Sequence, residues 1–343
     1  MYLSVSQDID KFIWNNKEMN IVFAVGNEAW QGGGFKNDTT APHASAKNVI
    51  AVGGSENYKP IIGDPPTIAD NINEIYYGTG RGPTDDNRIK PDIIAPALEI
   101  FSPRSRIAPA WPAGGCTKNE SNQGGNYKLG PDYASCGGTS MSTPHIAGIV
   151  TILREYYKTN EGITNPSAAL IKASIINSAV DMGYGLPSNT TGWGRVNISR
   201  VLPSTGNSLF AQDVSPGLST GQIRGCTLLK VEAGAPLKAT LVWSDKYAAI
   251  LAQKTLVNDL DLRVTDPAGN VYNGNDFNAP YNNEIDNTNN VEQVIIPSSM
   301  AGKYSVTVYA NNVPFPQQPY ALVVSYKEKQ SSGIKQAKHI CTK

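Results

Sequence analysis

The chain has 343 residues, room for two domains, and its 40% hydrophobic and 17% charged content is that of a packed globular protein rather than a disordered one. Lys plus Arg and Asp plus Glu both count 29, so no basic or acidic excess points to nucleic acid or a membrane surface as partner. No run of 18 apolar residues could cross a bilayer, and the opening MYLSVSQDIDKF lacks the basic and apolar regions of a secretory leader.

In chain order, DIDKFIWNNK (residues 8–17) places Ile9, Phe12 and Ile13 at helical spacing, and the apolar run from Ile21 to Val25, closed by Gly26, reads as a buried strand. NVIAVGG (48–54) and DIIAP (92–96) are further short, continuously apolar runs. A parallel sheet covered on both faces requires runs of that kind, not alternating ones. After GGTSMSTPHIAG (137–148) the pattern turns helical, with Ile146, Ile149, Val150 and Leu153 on one side. A second helix opens at Asn165-Pro166-Ser167, with Leu170, Ile171, Ile175 and Ile176 recurring at three to four residues. Residues 1–202 therefore read as an α/β layer structure with a partial parallel sheet and flanking helices.

From residue 203 the texture changes. LKATLVWSD, NDLDLRVTD, VEQVIIP, KYSVTVYA and YALVVSY are short β-branched and aromatic runs separated by Pro, Gly and Asn, which predicts an all-β sandwich or jelly roll over 203–328 and a polar tail over 329–343. DPAGN (266–270) reads as a hairpin turn, and Trp243, at an alternating strand position, as core. Cys116, Cys136, Cys226 and Cys341 lack metal-ligand spacing. Of the three disulfide connectivities they allow, 116 with 136 and 226 with 341 is topologically reasonable. Sequons at Asn37, Asn119, Asn189 and Asn197 are about as many as chance gives and decide nothing.

The chemistry concentrates at Ser140. In the first turn of a helix, its own N–H and its neighbours' are orphan donors, and the helix dipole adds positive charge there, which suits a developing oxyanion. Gly137 and Gly138 permit unusual φ and close approach of a substrate backbone. A bare GTS triplet would more simply be a helix cap after a glycine loop.

The longer string GTSMSTPHIAG resembles the nucleophile motif of the subtilisin-like serine proteases. NIVFAVGNE (20–28) is similar to that family's strand ending in the oxyanion asparagine, and RIKPDIIAP (88–96) and GWGRVNISR (192–200) to its later landmarks. TLVNDLDLRVTDPAGN, YNGNDF and NNVPFPQQPYALVV resemble the β-barrel domain of its alkaline, oxidation-resistant members, so the resemblance spans residues from about 8 to 328. It implies an extracellular endopeptidase acting on proteins or peptides. Ser140 would form the acyl-enzyme, Asn27 would share the oxyanion hole, and Gly26, Gly138 and Thr139 would contact substrate, with no cofactor needed for the chemistry.

A serine of this kind needs a histidine and a carboxylate. His145 lies five residues after Ser140 on the same helix, roughly 140° round its axis, and reads as packing. His43 reads as a loop residue and His339 as part of the tail, so none fits as base. The family order is Asp, His, Ser, both partners preceding the oxyanion strand, and this sequence begins only some 20 residues before that strand. The expectation is a truncated form that is inactive alone, paired with the missing amino-terminal half. The alternative is a pseudoprotease, or a binding or regulatory fragment, using its β domain.

On LVNDLDLRV, Leu260, Leu262 and Val264 alternate with Asp259, Asp261 and Arg263, leaving two aspartates on one outer face. Either Arg263 and water screen them or, as calcium-stabilised members of the family imply, a structural Ca2+ is held by Asp245, Asp259 and Asp261, with Asp276 a weaker candidate.

Overall fold

A computed structural model describes residues 2–58, 69–103, 116–117, 132–200, 202, 207–328 and 339–341. The sequon at Asn119 and most of the expected 329–343 tail fall outside these. Helix α1 (Ser4–Asn15) buries Ser6, Asp10 and Ile13. Asp10 lies inside because its carboxylate accepts from the Tyr2 hydroxyl at 2.8 Å and from the backbone N–H groups of Lys47 and Asn48 at 3.1 and 2.9 Å. The helix thereby steers the chain into the sheet.

There follow β1 (Val22–Ala24), β2 (Trp30–Gln31), β3 (Gly34–Phe35), β4 (Ile50–Ser55), β5 (Ile93–Pro96), β6 (Ile100–Pro103), β7 (Cys116–Thr117), β8 (Tyr133–Cys136), α2 (Thr139–Asn160) and α3 (Ala168–Ser178). Strands β1, β4 and β5 form the expected parallel sheet in that order, with Val22 opposite Ile50 and Val52 opposite Ile93. Every residue of β4 is buried, because α2 packs on one face of the sheet while Ile13 of α1, with Ala44, Ala46 and Val49, closes the other. Two features have no counterpart in the hydrophobic pattern: the β2–β3 hairpin and an antiparallel sheet β6-β8-β7, whose register sets Cys116 opposite Cys136.

Helix α3 is capped by Ser167, whose hydroxyl accepts from the Leu170 N–H at 3.0 Å. Its periodicity predicts one apolar stripe, yet all eleven residues are buried. The second part of the chain explains the difference, since α3 packs against its strands and Asn177 donates to the carbonyls of Lys238 and Val323.

That second part comprises β9 (Asn207–Leu218), β10 (Ile223–Val231), β11 (Leu237–Val242), β12 (Asp259–Thr265), β13 (Val271–Asn273), β14 (Val291–Ile296), β15 (Gly302–Asn312), β16 (Gln318–Lys327) and β17 (His339–Cys341). They form two antiparallel sheets, β13-β12-β15-β10-β17 and β14-β11-β16-β9, around a shared core that includes Trp243, Leu260, Leu262, Val264 and Leu322. Residues 266–270 make the expected turn, with Gly269 at φ 89°. Cys226 and Cys341 are disulfide-bonded across β10 and β17.

The two parts share one apolar cluster running from Ile50, Val52 and Ile146 through α3 to Val242, Ala321 and Val323. Beside it the Lys47 ammonium is wholly buried against the Asp245 carboxylate and the carbonyls of Lys246 and Thr255. Asn48 and Asp245 exchange two hydrogen bonds of 2.8 Å.

Candidate active site

Two chain segments that are more than a hundred residues apart meet at the carboxyl end of the parallel sheet. On one, the chain leaves β1 through Gly26, at φ +117°, where an added Cβ would stand 3.2 Å from the Thr39 carbonyl oxygen. The Gly80 N–H donates to the Gly26 carbonyl at 2.8 Å and fixes the turn. On the other, Gly138, at φ +131°, delivers the chain from its bond to the Ala97 carbonyl into α2.

Gly138 offers no side chain to cap α2, and Asn27 supplies the cap from a distance. Its Oδ1 accepts from the Thr139 N–H at 2.9 Å and from the Thr139 hydroxyl at 3.0 Å. Thr139 is fully buried and its hydroxyl also lies 3.2 Å from the Gly26 carbonyl. With Oδ1 committed in this way, the Nδ2 end of the amide is the end presented outward. A Cβ on Gly138 would make only ordinary contact with the Asn27 amide, at 3.5 Å from Oδ1 and 3.7 Å from Nδ2, so it is the φ of +131° that favours glycine here.

Ser140 is the second residue of α2. Its side chain is exposed and its hydroxyl makes no hydrogen bond among the described residues. In this first turn the Thr139 N–H goes to Asn27 and the Met141 N–H to the Gly138 carbonyl at 2.9 Å, which leaves the Ser140 N–H at the positive end of the dipole. Gly26, Asn27, Gly138, Thr139 and Ser140 are therefore brought into one constellation: an exposed hydroxyl flanked by an amide N–H and a carboxamide N–H, a cradle suited to an oxygen that becomes anionic.

His145 is exposed further along α2, His43 packs on Phe23 with ring centres 4.7 Å apart, and residue 339 belongs to β17. Among the described residues no histidine is hydrogen-bonded to Ser140.

The three aspartates assigned to Ca2+ are not gathered. Both oxygens of Asp245 are engaged, by Lys47 and by the N–H groups of Val257 and Asn258 at 2.9 and 2.8 Å, so this residue does not fit a metal. Asp259 and Asp261 each keep one buried oxygen without a hydrogen-bond partner, and so does Glu292, which is 1% exposed. Burial raises all three carboxyls. Asp259 adds to the shift of Asp261, which reaches about 6, and Asp286 to that of Glu292. Hard anionic oxygens left without donors match Ca2+ in kind, although among the described residues no three His, Cys, Asp or Glu side chains stand close enough to hold an ion. Asp276 is occupied by the N–H groups of Asn278, Asn283 and Glu284.

Sequence reasoning passed over Thr39, Gly80 and Arg81, which brace the Asn27 turn through backbone bonds, and the aromatic hairpin that follows it. The hairpin's signal was present, a Trp and a Phe bracketing three glycines.

The family comparison agrees with this geometry. The chain belongs to the subtilase family, whose model matches residues 2–194. It is similar to the serine protease/ABC transporter B family protein tagA of Dictyostelium discoideum, with 28% identity over 72% of this chain and 15% of that protein. It is also similar to an extracellular serine protease of Serratia marcescens, 33% identical over 36% of this chain and 11% of that one. The chain thus spans under a fifth of the length of either relative. Among solved structures, fervidolysin of Fervidobacterium pennivorans, a keratinolytic enzyme related to subtilisin, aligns over 78% of this chain and 48% of its own at 14% identity and a TM-score of 0.39.

Proposed function

We propose that this chain carries the nucleophile and the oxyanion site of a subtilisin-type serine endopeptidase. Ser140 attacks the scissile carbonyl, Asn27 Nδ2 and the Ser140 N–H hold the tetrahedral oxygen, and the glycines at 26 and 138 admit the substrate backbone. The observation that carries this reading is the grip of Thr139, the residue before Ser140, on Asn27 Oδ1, which leaves Asn27 Nδ2 without a hydrogen-bond partner among the described residues. The proton of Ser140 requires a base and an orienting carboxylate, and both are supplied by a segment outside these 343 residues. A protein that includes such a segment is expected to hydrolyse polypeptides and to be labelled by a fluorophosphonate at Ser140, with Ser140→Ala unlabelled. Absence of labelling in that protein overturns the proposal, and robust turnover by the 343 residues alone overturns the assignment of the base.

A second reading is a non-catalytic member whose second part binds a partner; it carries the same Thr139–Asn27 bonds without the reaction. Upstream coding sequence without Asp and His motifs supports it. We assign residues 1–202 to the peptidase unit and 203–328 to a jelly-roll-like β unit of the alkaline, oxidation-resistant group. Extracellular residence is consistent with the Cys226–Cys341 disulfide and with the Serratia relative. Asp259 and Asp261 remain the residues proposed for a structural Ca2+, Asp245 being taken up by Lys47. A melting temperature that is the same in Ca2+ and in EDTA removes it.

A further inference from the structure

We infer that the turn at residues 249–252, with the lysines and aromatic rings around it, docks on an anionic lipid bilayer: Ile250, Leu251 and Phe315 enter the headgroup layer while Lys11, Lys17, Lys246 and Lys254 meet its phosphates. This surface does not include Ser140, and nothing in it depends on the protease reading.

The segment KYAAILAQK (246–254) carries no charge between its two terminal lysines, and its tip faces water, with Ile250 48% and Leu251 60% exposed. The turn is built to hold them there. The Ala252 N–H donates to the Ala249 carbonyl at 3.2 Å and the Leu251 N–H to the Tyr2 carbonyl at 2.9 Å, while the Gln7 carboxamide donates to the Ala248 carbonyl at 2.8 Å and straps the segment along α1. Leu251 sits at φ +63°, a conformation that glycine takes freely and leucine takes at a cost. A large apolar side chain is thus kept in water at a position where glycine would be less strained. Phe315, 46% exposed, is fixed by its backbone, which exchanges bonds of 3.1 and 3.2 Å with the buried Asn258 side chain. None of these three side chains belongs to a core cluster.

Around the tip, ammonium groups are gathered on rings rather than on carboxylates. Lys246 Nζ lies 4.3 Å from the Phe315 ring centre, 4.7 Å from that of Tyr247 and 5.5 Å from that of Trp14, Lys17 Nζ lies 3.2 Å from Trp14, and Lys11 Nζ 5.7 Å from Tyr247. Among the described residues none of these lysines, nor Lys254, makes an ion pair. Over residues 2–17 and 246–254 four lysines stand against one exposed carboxylate, Asp8, because Asp10 is buried and bonded to Tyr2. The equal acidic and basic totals of the whole chain hide this local excess. Burial pushes the Lys17 amine down to about 7 against the pull of Asp245, and Lys246 adds to the depression, so the cluster is short of an anion.

Residue type and area select the occupant. Lysine is depleted at protein–protein contacts. At an anionic bilayer, by contrast, lysine heads reach the phosphates while their stems lie along apolar surface, and Trp and Tyr rings settle at headgroup level. Two aliphatic side chains and one ring also offer far less than the roughly 800 Å² per partner that a stable protein contact buries, yet insertion among headgroups needs no more than such a tip with a basic collar.

The test sediments the 343-residue chain with sucrose-loaded vesicles of phosphatidylcholine alone or of phosphatidylcholine with phosphatidylserine, and reads the bound fraction against lipid concentration. Binding to the phosphatidylserine vesicles is expected to be at least about tenfold tighter and to weaken as salt is raised. Lys11→Gln/Lys246→Gln should weaken it by about 25-fold, that is about fivefold for each charge removed, with circular dichroism unchanged. Leu251→Gly should lower binding about tenfold while the urea midpoint stays level or rises, a combination that a structural role for Leu251 would not give. Equal binding to both kinds of vesicle, or binding that Leu251→Gly leaves intact, overturns the inference, and in the second case equal retention on heparin marks a general polyanion surface instead. A dimer in sedimentation velocity that Leu251→Gly dissociates also overturns it and assigns the face to a second copy of the chain.

Discussion

At the scale of single residues, the site depends on one carboxamide being unable to rotate. Asn27 is held by two donors from Thr139, and a preorganised donor aimed at a forming oxyanion contributes about 3 kcal/mol, a figure that comes from subtilisin itself. In a protein that supplies the proposed base, Asn27→Ala is expected to lower kcat by 100-fold or more with KM little changed. Gly138→Ala, which is strained at φ +131° beside the same amide, should do likewise. Asp86 sets a different dependence. Burial alone would raise its carboxyl, but the Arg88 guanidinium at 2.9 Å and hydrogen bonds from Arg88, Thr255 and Thr84 outweigh it and hold the group down from 3.8 to about 2. A depressed acid stabilises the fold fully above pH 4 and loses that contribution as pH falls toward 2, here about 2 kcal/mol. Urea unfolding as a function of pH should show this acid limb, and Asp86→Asn should flatten it. The strings behind the proposed nucleophile and its asparagine, GTSMSTPH and AVGNE, are local, and the structure joins them through the Thr139–Asn27 bonds. The engagement of Asp245 was not legible in the sequence, since its partner Lys47 is 198 residues away and alternation along a strand reports only which face a residue takes.

At the scale of elements, the strands were read well where burial is continuous, as in β4 and β5, and the turn at 266–270 was read from Pro and Gly. The apolar recurrence of helix α3 does not mark its polar residues as buried, yet Lys172, Ser174 and Asn177 are inside and find partners in Val49, Tyr157 and Lys238. A polar residue that satisfies itself on a distant element looks the same in sequence as one in water. The start of this helix has no substitute for its cap, so Ser167→Ala is expected to cost about 1 kcal/mol in chemical denaturation with no change in the circular dichroism of the native state.

At the scale of the whole molecule, the predicted boundary at 202 marks a change of texture but not of cohesion. One apolar cluster runs from the parallel sheet through α3 into β11 and β16, and the Lys47–Asp245 pair lies wholly inside the junction. Calorimetry of the full chain should therefore give one transition. Lys47→Met strands a buried carboxylate and is expected to destabilise by about 3–5 kcal/mol, whereas Lys47→Met/Asp245→Leu should recover most of the loss. If the two variants lose stability equally, the pair does not couple the halves. The bridge from Cys226 to Cys341 closes a covalent ring of sequence separation 115, holding every strand from β11 to β17. A single nick anywhere within that ring, self-inflicted or by another hydrolase, would release no fragment. Such a clipped molecule would run intact on a denaturing gel until reductant was added, and only then fall into two bands.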